Sequence, residues 1–305
     1  MFVSLAFLVA AQGIVVPLGK PPRIIEQPRA PIATAGPAFA AACKDAKPTD
    51  FDMPAPPVRI HANTYLVGTC GVSAILIAGT GGAILIDGGT EKGADLIARN
   101  IEDLGFRLRD VKILLNSHEH FDHSGGLARL QQLTGAALYT SPAAARVLET
   151  GTASADDPQA GMHAPFPAAH VDRILHDGEM VRLGNLALFA VTTPGHAPGS
   201  LSWHWGACDG GVCRQIVYSD SLNPLSRDDY RFSDHPAYLA AYRASIAKIA
   251  ALNCDILLTP HPITSQMAER LVGAAPLEDP NACRAYAERS AKQLDERLAK
   301  EAAGK

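Results

Sequence analysis

The feature that most restricts the fold of this chain is a polar cluster that directly follows an apolar run. After Leu114 and Leu115, three histidines and a carboxylate occur within six residues: His118, His120, Asp122 and His123. The apolar run predicts a buried strand. Imidazole nitrogen and carboxylate oxygen are ligands that zinc takes, and using all four with a position left for water requires two metals. We therefore expect a metal site at the end of a strand.

Two further histidines occupy similar positions. His196 follows the run 188–193, and His261 follows the run 256–259. A lone histidine after a strand is usually an ordinary loop residue. Beside the four-ligand cluster, we interpret these two as additional ligands, because several strand ends can meet at one edge of a sheet. We expect no metal at the remaining histidines, which lack this context: His61, His163, His170, His176, His204 and His235.

Short apolar runs alternate with amphipathic or alanine-rich segments, a pattern that predicts an α/β fold with mixed sheets covered by helices. The predicted strands are 64–68, 73–78, 83–87, 112–116, 138–140, 186–192, 215–219 and 255–259. The predicted helices are 93–104, 124–134, 143–148, 236–252 and 281–302. Ser141 before Pro142 is typical of a helix start.

Length and charge limit the possible partners. A chain of 305 residues with 47% hydrophobic and 19% charged residues can bury a large core, and a single α/β domain fits best. The net charge of -4 is small, and no basic block is present. We therefore expect no nucleic-acid partner. No segment after the N-terminus is apolar enough to span a bilayer, so we expect no membrane partner.

The N-terminus suggests export. Phe2 to Ala11 is an apolar run, and Val9–Ala11 offers small residues for cleavage, as do residues 38–40. We divide the chain into a signal peptide or flexible leader, residues 1–40, and one domain, residues 41–305. The alternative is a leader that is not cleaved, since the run lacks the usual basic residue near Met1.

Six cysteines leave many possible pairings, and spacing alone does not choose among them. Cys208 and Cys213 flank Asp209–Val212, which is typical of a tight turn between two strand ends. An even number of cysteines behind a candidate signal peptide favours an oxidising compartment, periplasmic or secreted. The alternative is six buried thiols in a reducing compartment.

At this point the sequence resembles a known family. His118-x-His120-x-Asp122-His123 with His196 and His261 is similar to the full ligand set of the metallo-β-lactamase superfamily, and Ile84–Gly88 resembles its strand that ends in a structural aspartate, here Asp87. Six segments resemble the third subclass of class B β-lactamases: Tyr65–Ser73, Ser117–Gly125, Pro194–Gly199, Val217–Leu222, Cys254–Pro262 and Ala282–Glu288.

The resemblance implies a four-layer αβ/βα sandwich and two zinc ions. The first zinc would be bound by His118, His120 and His196, and the second by Asp122, His123 and His261. It also implies the disulfides Cys43–Cys70, Cys208–Cys213 and Cys254–Cys283, and a monomer.

The implied function is a β-lactamase, a carbapenemase that confers antibiotic resistance by hydrolysing the amide of penicillins, cephalosporins and carbapenems through a zinc-bound hydroxide. Zinc lowers the pKa of bound water from about 15.7 to about 7. Asp122 would also act in catalysis by orienting the hydroxide. Ser221, Asn223 and Gln159 are the candidate substrate contacts, although Asn223 and Gln159 are equally consistent with ordinary loop polarity.

Two alternatives differ in class. The same ligand cluster serves thioesterases similar to glyoxalase II, lactonases and nucleases, which add an aspartate that bridges both metals, and Asp220 lies where it could do so. Residues 254–262 and 282–288, the cysteines and the candidate signal argue against that reading. The other alternative is a zinc-stabilised binding protein, but structural zinc sites are closed and often rich in cysteine, unlike this ligand set.

Overall fold

A computed structural model of the protein describes residues 35–304. Within them, twelve strands form two mixed sheets, with strand orders β1-β2-β3-β4-β5-β6-β7 and β12-β11-β10-β9-β8. The strands of the first sheet are β1 (Val58–His61), β2 (Thr64–Leu66), β3 (Ile75–Gly79), β4 (Gly82–Ile86), β5 (Val111–Leu115), β6 (Ala137–Thr140) and β7 (Arg173–Ile174). Those of the second are β8 (Met180–Leu183), β9 (Leu186–Thr192), β10 (Leu201–Asp209), β11 (Val212–Tyr218) and β12 (Ile256–Leu258).

The helices of the described residues are α1 (Ala35–Cys43), α2 (Gly93–Asp103), α3 (Phe121–Ser124), α4 (Leu127–Thr134), α5 (Pro142–Leu148), α6 (Pro236–Ala251), α7 (Met267–Leu271) and α8 (Ala282–Ala302). Helices α2, α4 and α5 pack on the outer face of the first sheet, and α6 and α8 on that of the second, whereas α1 and α7 contribute to the core between the sheets. Strands β1 to β4 are antiparallel, and β4 to β7 are parallel. In the second sheet β8 to β11 are antiparallel, and β12 is parallel to β11.

The alternation of side chains along each strand builds the layers. Ile75 and Ile77 of β3 lie in a core between the two sheets together with Trp203 of β10. Leu76, between them in sequence, faces the opposite way and packs with Ile97 of α2. A third core joins the five-stranded sheet to α6 and α8. Both sheets are therefore buried on two faces, and the predicted four-layer αβ/βα sandwich is confirmed.

The three disulfides implied by the resemblance are confirmed: Cys43–Cys70, Cys208–Cys213 and Cys254–Cys283. Cys208 and Cys213 are paired directly across the β10–β11 hairpin, as the turn between them predicted. Cys43–Cys70 joins the end of α1 to the loop after β2. Cys254–Cys283 joins the start of β12 to the start of α8.

The predicted boundary of the domain falls inside a helix. The candidate signal segment, residues 2–11, lies outside the described residues. The boundary at residue 41 and the second candidate cleavage segment, residues 38–40, both lie in α1, where Phe39 is 1% exposed and belongs to the core between the sheets. Packed structure therefore begins before residue 41.

Every predicted strand and helix has a counterpart, and the largest shifts are three residues: β11 begins at Val212 instead of residue 215, and α4 begins later than predicted. The helix predicted to begin at Ser124 begins at Leu127, after the short helix α3. A side chain on Gly126 would place its Cβ only 2.2 Å from the carbonyl oxygen of Gly88, so the two segments can approach only because both are glycine there. Strands β1, β7, β8 and β10 and helices α1, α3 and α7 were not predicted.

Candidate metal centre

All six predicted ligands lie at one end of the sandwich, each shortly after a strand. His118, His120, Asp122 and His123 follow β5, and His120 precedes the first turn of α3. His196 follows β9, and His261 follows β12. Each residue is buried except His261, which is partly exposed. The expectation that separate strand ends would bring these side chains together matches this arrangement.

The first group consists of His118, His120 and His196. One nitrogen of each ring lies within 4.8 Å of the others, in a geometry that could hold a metal ion. The ring of His118 lies 4.6 Å from that of His120 and 4.8 Å from that of His196, measured between centroids. Nε2 of His118 is buried and has no hydrogen-bond partner among the described residues. A buried nitrogen lone pair without a partner is what a metal ion would satisfy.

The second group consists of Asp122, His123 and His261. Nε2 of His123 lies 3.2 Å from Oδ2 of Asp122 and 3.3 Å from Nε2 of His261. Nε2 of His261 lies 3.6 Å from the same carboxylate oxygen. His118, Asp122 and His123 also fall within 4.8 Å of one another, so the two groups adjoin. The arrangement can hold two neighbouring cations.

Carboxylates orient two rings of the first group from behind. Nδ1 of His118 donates to Oδ1 of Asp220 at 2.8 Å, and Nε2 of His120 donates to Oδ2 of Asp157 at 2.9 Å. A ring that donates from one nitrogen presents the lone pair of the other, which fixes the tautomer that binds metal. His118 thus directs Nε2, and His120 directs Nδ1, toward the cluster.

Backbone carbonyls do the same for two other rings. Nδ1 of His196 donates to the carbonyl of Asn223 at 3.1 Å, and Nδ1 of His261 donates to the carbonyl of Gly71 at 2.9 Å. Both rings therefore turn Nε2 inward. Because Gly71 follows Cys70, the disulfide from α1 also anchors the segment that orients His261.

Asp87, which follows β4, connects neighbouring segments through hydrogen bonds. Its carboxylate accepts hydrogen bonds from the amide and hydroxyl of Ser117 and from the hydroxyl of Tyr218. Nδ1 of His123 lies 3.5 Å from the Asp87 carboxylate, a contact longer than the others. Asp87 thus connects three strand ends below the cluster.

Burial decides the protonation of His118 and His196 in the first group, whereas the hydrogen bond to Asp157 outweighs burial at His120 and raises its pKa. Burial lowers the pKa of His118 well below the usual value, and neighbouring imidazoles add to the shift. It also lowers the pKa of His196 to about 3. Both rings are therefore neutral at pH 7, and neutral imidazole is the form that binds a metal.

Charge pairing dominates the second group. Burial opposes the ionisation of Asp122, but the adjacent His123 outweighs it and holds the pKa of Asp122 below the usual range. Burial likewise disfavours the charged form of His123, yet the Asp122 carboxylate outweighs it and raises the pKa of His123 to about 10. A metal that binds here must displace the proton of His123.

The residues fit zinc as the bound metal. Each group offers three nitrogen or oxygen donors, which leaves a coordination position open, as catalytic zinc sites require. The described cysteines are all in disulfides, so thiolate ligands are not part of this centre.

The three candidate substrate contacts differ in their relation to the cluster. The side-chain amide of Gln159 lies 3.3 Å from Nε2 of His196. Asn223 is exposed and touches the cluster through its backbone carbonyl. Ser221 is 5% exposed and directly follows Asp220.

Two acidic residues at the centre were not predicted. Asp157 belongs to no recognised motif. It lies two residues before Gln159, and its carboxylate accepts a hydrogen bond from the backbone amide of Gln159 at 2.7 Å. Glu119 lies within the histidine cluster itself. One of its oxygens accepts the amide of Gly199 at 2.8 Å, and the other is buried without a partner among the described residues. Burial, with the nearby charge of Asp157, raises the pKa of Glu119 to about 7.

The family model of the metallo-beta-lactamase superfamily matches residues 67–261 of this chain. The matched residues include all six predicted ligands and nearly two thirds of the sequence. The chain belongs to this superfamily.

Solved structures refine the assignment to subclass B3. The MIM-2 metallo-β-lactamase is 53% identical, with 88% of this chain and 98% of that chain covered at a TM-score of 0.83. MIM-1 from Novosphingobium pentaromativorans is 48% identical, with the same coverage and a TM-score of 0.86. MEM-A1, a subclass B3 metallo-β-lactamase from a soil metagenome library, is 45% identical, with 84% of this chain and 100% of that chain covered at a TM-score of 0.80.

Curated relatives are more distant. A ribonuclease of Thermus thermophilus is 33% identical over 163 residues, which are 52% of this chain and 36% of that protein. Hydroxyacylglutathione hydrolase GloC of Haemophilus influenzae is 25% identical over 182 residues, 58% of this chain and 77% of that protein. The chain spans 36% to 59% of the length of the first three curated relatives. Their activities therefore belong to those proteins and are not transferred to this chain.

Proposed function

We propose that this protein is a di-zinc β-lactamase that hydrolyses the amide of penicillins, cephalosporins and carbapenems and so confers antibiotic resistance. The observation that carries the proposal is the convergence of two adjoining groups of three candidate ligands in a chain 45% to 53% identical to metallo-β-lactamases over nearly their whole length.

Zinc, when bound, supplies a Lewis acid and lowers the pKa of its water to about 7. The chain's own residues set the geometry. Oδ2 of Asp122 faces His123 and His261. Its other oxygen is then free to accept a hydrogen bond from the attacking water and to orient it. Because the pKa of Asp122 lies below its usual range, this carboxylate stays ionised at neutral pH.

In the reaction, water adds to the lactam carbonyl, the carbon–nitrogen bond breaks, and the products are a carboxylate and an amine. The balance needs no covalent enzyme intermediate and no further reactant. Ser221 and Asn223 are assigned to the carboxylate that bicyclic β-lactams carry, and the Gln159 amide, beside His196, to a polar group of the substrate. Hydroxyl and amide groups of this kind add binding energy and direction.

The position of Asp220 bears on the alternative of a thioesterase or lactonase with a bridging aspartate. Its Oδ1 accepts from Nδ1 of His118, the nitrogen that faces away from the cluster. This contact supports the role of a carboxylate behind a ligand. It supports the β-lactamase proposal over the bridging alternative.

The purified protein, loaded with zinc, tests the proposal with a carbapenem, a chromogenic cephalosporin and a glyoxalase-type thioester, each with and without a chelator. We expect chelator-sensitive lactam hydrolysis and no thioester hydrolysis. The reverse pattern would refute the proposed substrate class while leaving the metal site intact.

Variants separate the proposed roles. His120→Ala and Asp122→Ala should abolish turnover, whereas His170→Ala, a histidine with an 80% exposed side chain, is the matched control and should leave it unchanged. Ser221→Ala should mainly raise KM, because the residue is assigned to binding. Near-normal turnover in Asp122→Ala would contradict the two-zinc proposal.

We also propose that the mature protein is periplasmic or secreted and monomeric. Three disulfides support an oxidising compartment. Among residues 35–304, no helix is both long and apolar enough to cross a membrane. Cell fractionation with N-terminal sequencing of the mature chain tests the location, and light scattering tests the oligomeric state.

A further inference from the structure

The end of α8 holds a loop that borders the metal centre, residues 223–233. Glu301, with a side chain only 2% exposed, accepts the backbone amides of Phe232 and Ser233, each at 3.0 Å. The carbonyl of Glu301 also accepts a hydrogen bond from Arg231 at 2.8 Å. A buried carboxylate on two loop amides fixes the backbone at this point more strongly than neutral hydrogen bonds would.

Arg297, one turn earlier in α8, adds further hydrogen bonds, and Glu301 and Arg297 together form a polar clamp on the loop. Its Nε donates to Glu301 at 2.8 Å, and its guanidinium donates to the hydroxyl of Ser226 at 2.9 Å and to the carbonyl of Tyr230 at 2.6 Å. Arg297 therefore joins the middle of the loop to the same buried carboxylate that holds its end.

The clamped loop in turn holds the segment 157–159. The amide of Arg227 donates to the carbonyl of Pro158 at 2.9 Å, and its guanidinium donates to the carbonyl of Asp157 at 3.2 Å. Asp157 then accepts from His120, and the neighbouring Gln159 lies beside His196. A continuous series of hydrogen bonds thus runs from α8 to the first metal group.

Packing holds the far end of the loop, while hydrogen bonds join the loop to residues 157–159. Tyr230 and Phe232 are buried in the core that the loop shares with α6 and α8. A cleft of about 700 Å³, whose walls include Asp156, Pro198 and Arg227, borders the contact between the loop and residues 157–159. The hydrogen bonds of Arg227 therefore transmit the position of the loop to Asp157 and Pro158.

We propose that Glu301 and Arg297 are positioning residues for the first metal group, acting through loop 223–233 and Arg227 on Asp157 and Gln159. The inference rests on the proposed zinc-dependent function. It extends that function to residues on a helix that contributes no ligand, and it predicts that the end of α8 sets metal affinity.

The test compares Glu301→Gln with Glu296→Gln, the same change on an exposed residue of the same helix. Zinc affinity is measured by competition with a chromogenic chelator, and amide hydrogen exchange is followed in the zinc-loaded full protein. For Glu301→Gln we expect zinc affinity to fall about tenfold, the scale seen when a partner of a ligand is lost. Exchange should accelerate in 157–159 and 223–233. Glu296→Gln should change neither.

A double variant with Asp157→Asn tests the route. If Glu301 acts through Asp157, adding Glu301→Gln to Asp157→Asn causes no further loss of zinc affinity. Additive losses would overturn the proposed route. A lower melting temperature with unchanged zinc affinity in Glu301→Gln would overturn the positioning role.

Two provisions keep the test decisive. If Glu301→Gln does not fold, Arg297→Lys keeps the charge but removes the forked contacts, and the same results are expected of it. Neither readout uses a β-lactam, so the proposal can stand or fall separately from the assigned substrate class.

Discussion

Asp220→Asn separates the two roles considered for Asp220. The carboxylate is fully buried, and Oδ1 accepts Nδ1 of His118 at 2.8 Å. Asparagine keeps the size and one carbonyl acceptor, but it removes the charge and places an amide at Oδ2, which has no partner among the described residues. The substitution therefore weakens the hydrogen bond that orients the ring of His118, but it leaves all six candidate ligands in place.

The magnitude follows from that single contact. A hydrogen bond to a charged group contributes about 1.5–3 kcal/mol, and a neutral one contributes about 1 kcal/mol. The exchange thus costs about 0.5–2 kcal/mol of zinc binding at the first group. Since about 1.4 kcal/mol corresponds to a factor of ten, zinc affinity should fall roughly 2- to 30-fold.

The assay measures zinc per protein by elemental analysis at saturating metal, and affinity by chelator competition. We expect two equivalents of zinc with weakened binding of one. Asp228→Asn, on an exposed residue, is the control and should change neither value. Loss of a whole equivalent of zinc at saturation would show that Asp220 is itself a ligand, and the reasoning from the His118 contact would be refuted.

Three further predictions concern stability. Cys43→Ser with Cys70→Ser should lower the free energy of unfolding by about 3–4 kcal/mol, measured in denaturant. Chelators should also remove zinc faster from this variant, and an unchanged rate of zinc removal would contradict the anchoring role of the disulfide. Gly199→Ala should cost about 1–3 kcal/mol in thermal unfolding, because its Cβ would lie 2.4 Å from a backbone nitrogen of α5. Gly206→Ala, which meets only a flexible side-chain amide at 3.3 Å, is the control. For Glu301, burial opposes ionisation, but two backbone amides and a guanidinium outweigh it and hold its pKa below 4.5. Its contribution to stability is therefore present above pH 4.5 and is lost as the pH falls through the lower folded pKa. Glu301→Gln should flatten this acid limb in melts between pH 3 and 6, and an unchanged limb would refute the assignment.

The convergence of the six candidate ligands could be predicted from sequence because each is a metal-binding residue type placed just after an apolar run. His118 to His123 are also close in sequence, so the cluster is visible without any tertiary information. His196 and His261 were interpreted as ligands only because that cluster is present elsewhere in the sequence. The same logic gave no reason to choose any other histidine.

The partners behind the ligands could not be predicted in the same way. Asp157 lies 37 residues from His120, and Asp220 lies 102 residues from His118. Gly71 acts through its backbone carbonyl, which carries no sequence signal at all. Contacts of this kind are set by tertiary packing, and one sequence without the fold does not reveal them.

The strands show a similar division. Continuous apolar runs such as β4 were predicted because both faces of the sheet are buried. β10 was missed although Leu201, Trp203 and Trp205 recur at every second position, since His204 and Gly206 interrupt the apolar run. Alternation rather than continuity was the signal for that strand.

The metal centre depends on contacts from many parts of the fold. The partners of its imidazoles come from the loop after β2, from the loop after α5, and from residues that follow β11, while α1 and α8 anchor those segments by a disulfide and by a buried carboxylate. Each ring is therefore oriented by a different set of long-range contacts. Because ligand orientation controls affinity, a small loosening of any one segment should weaken zinc binding before the cooperative core unfolds. Zinc affinity should thus be a more sensitive measure of damage at α1 or α8 than the melting temperature is.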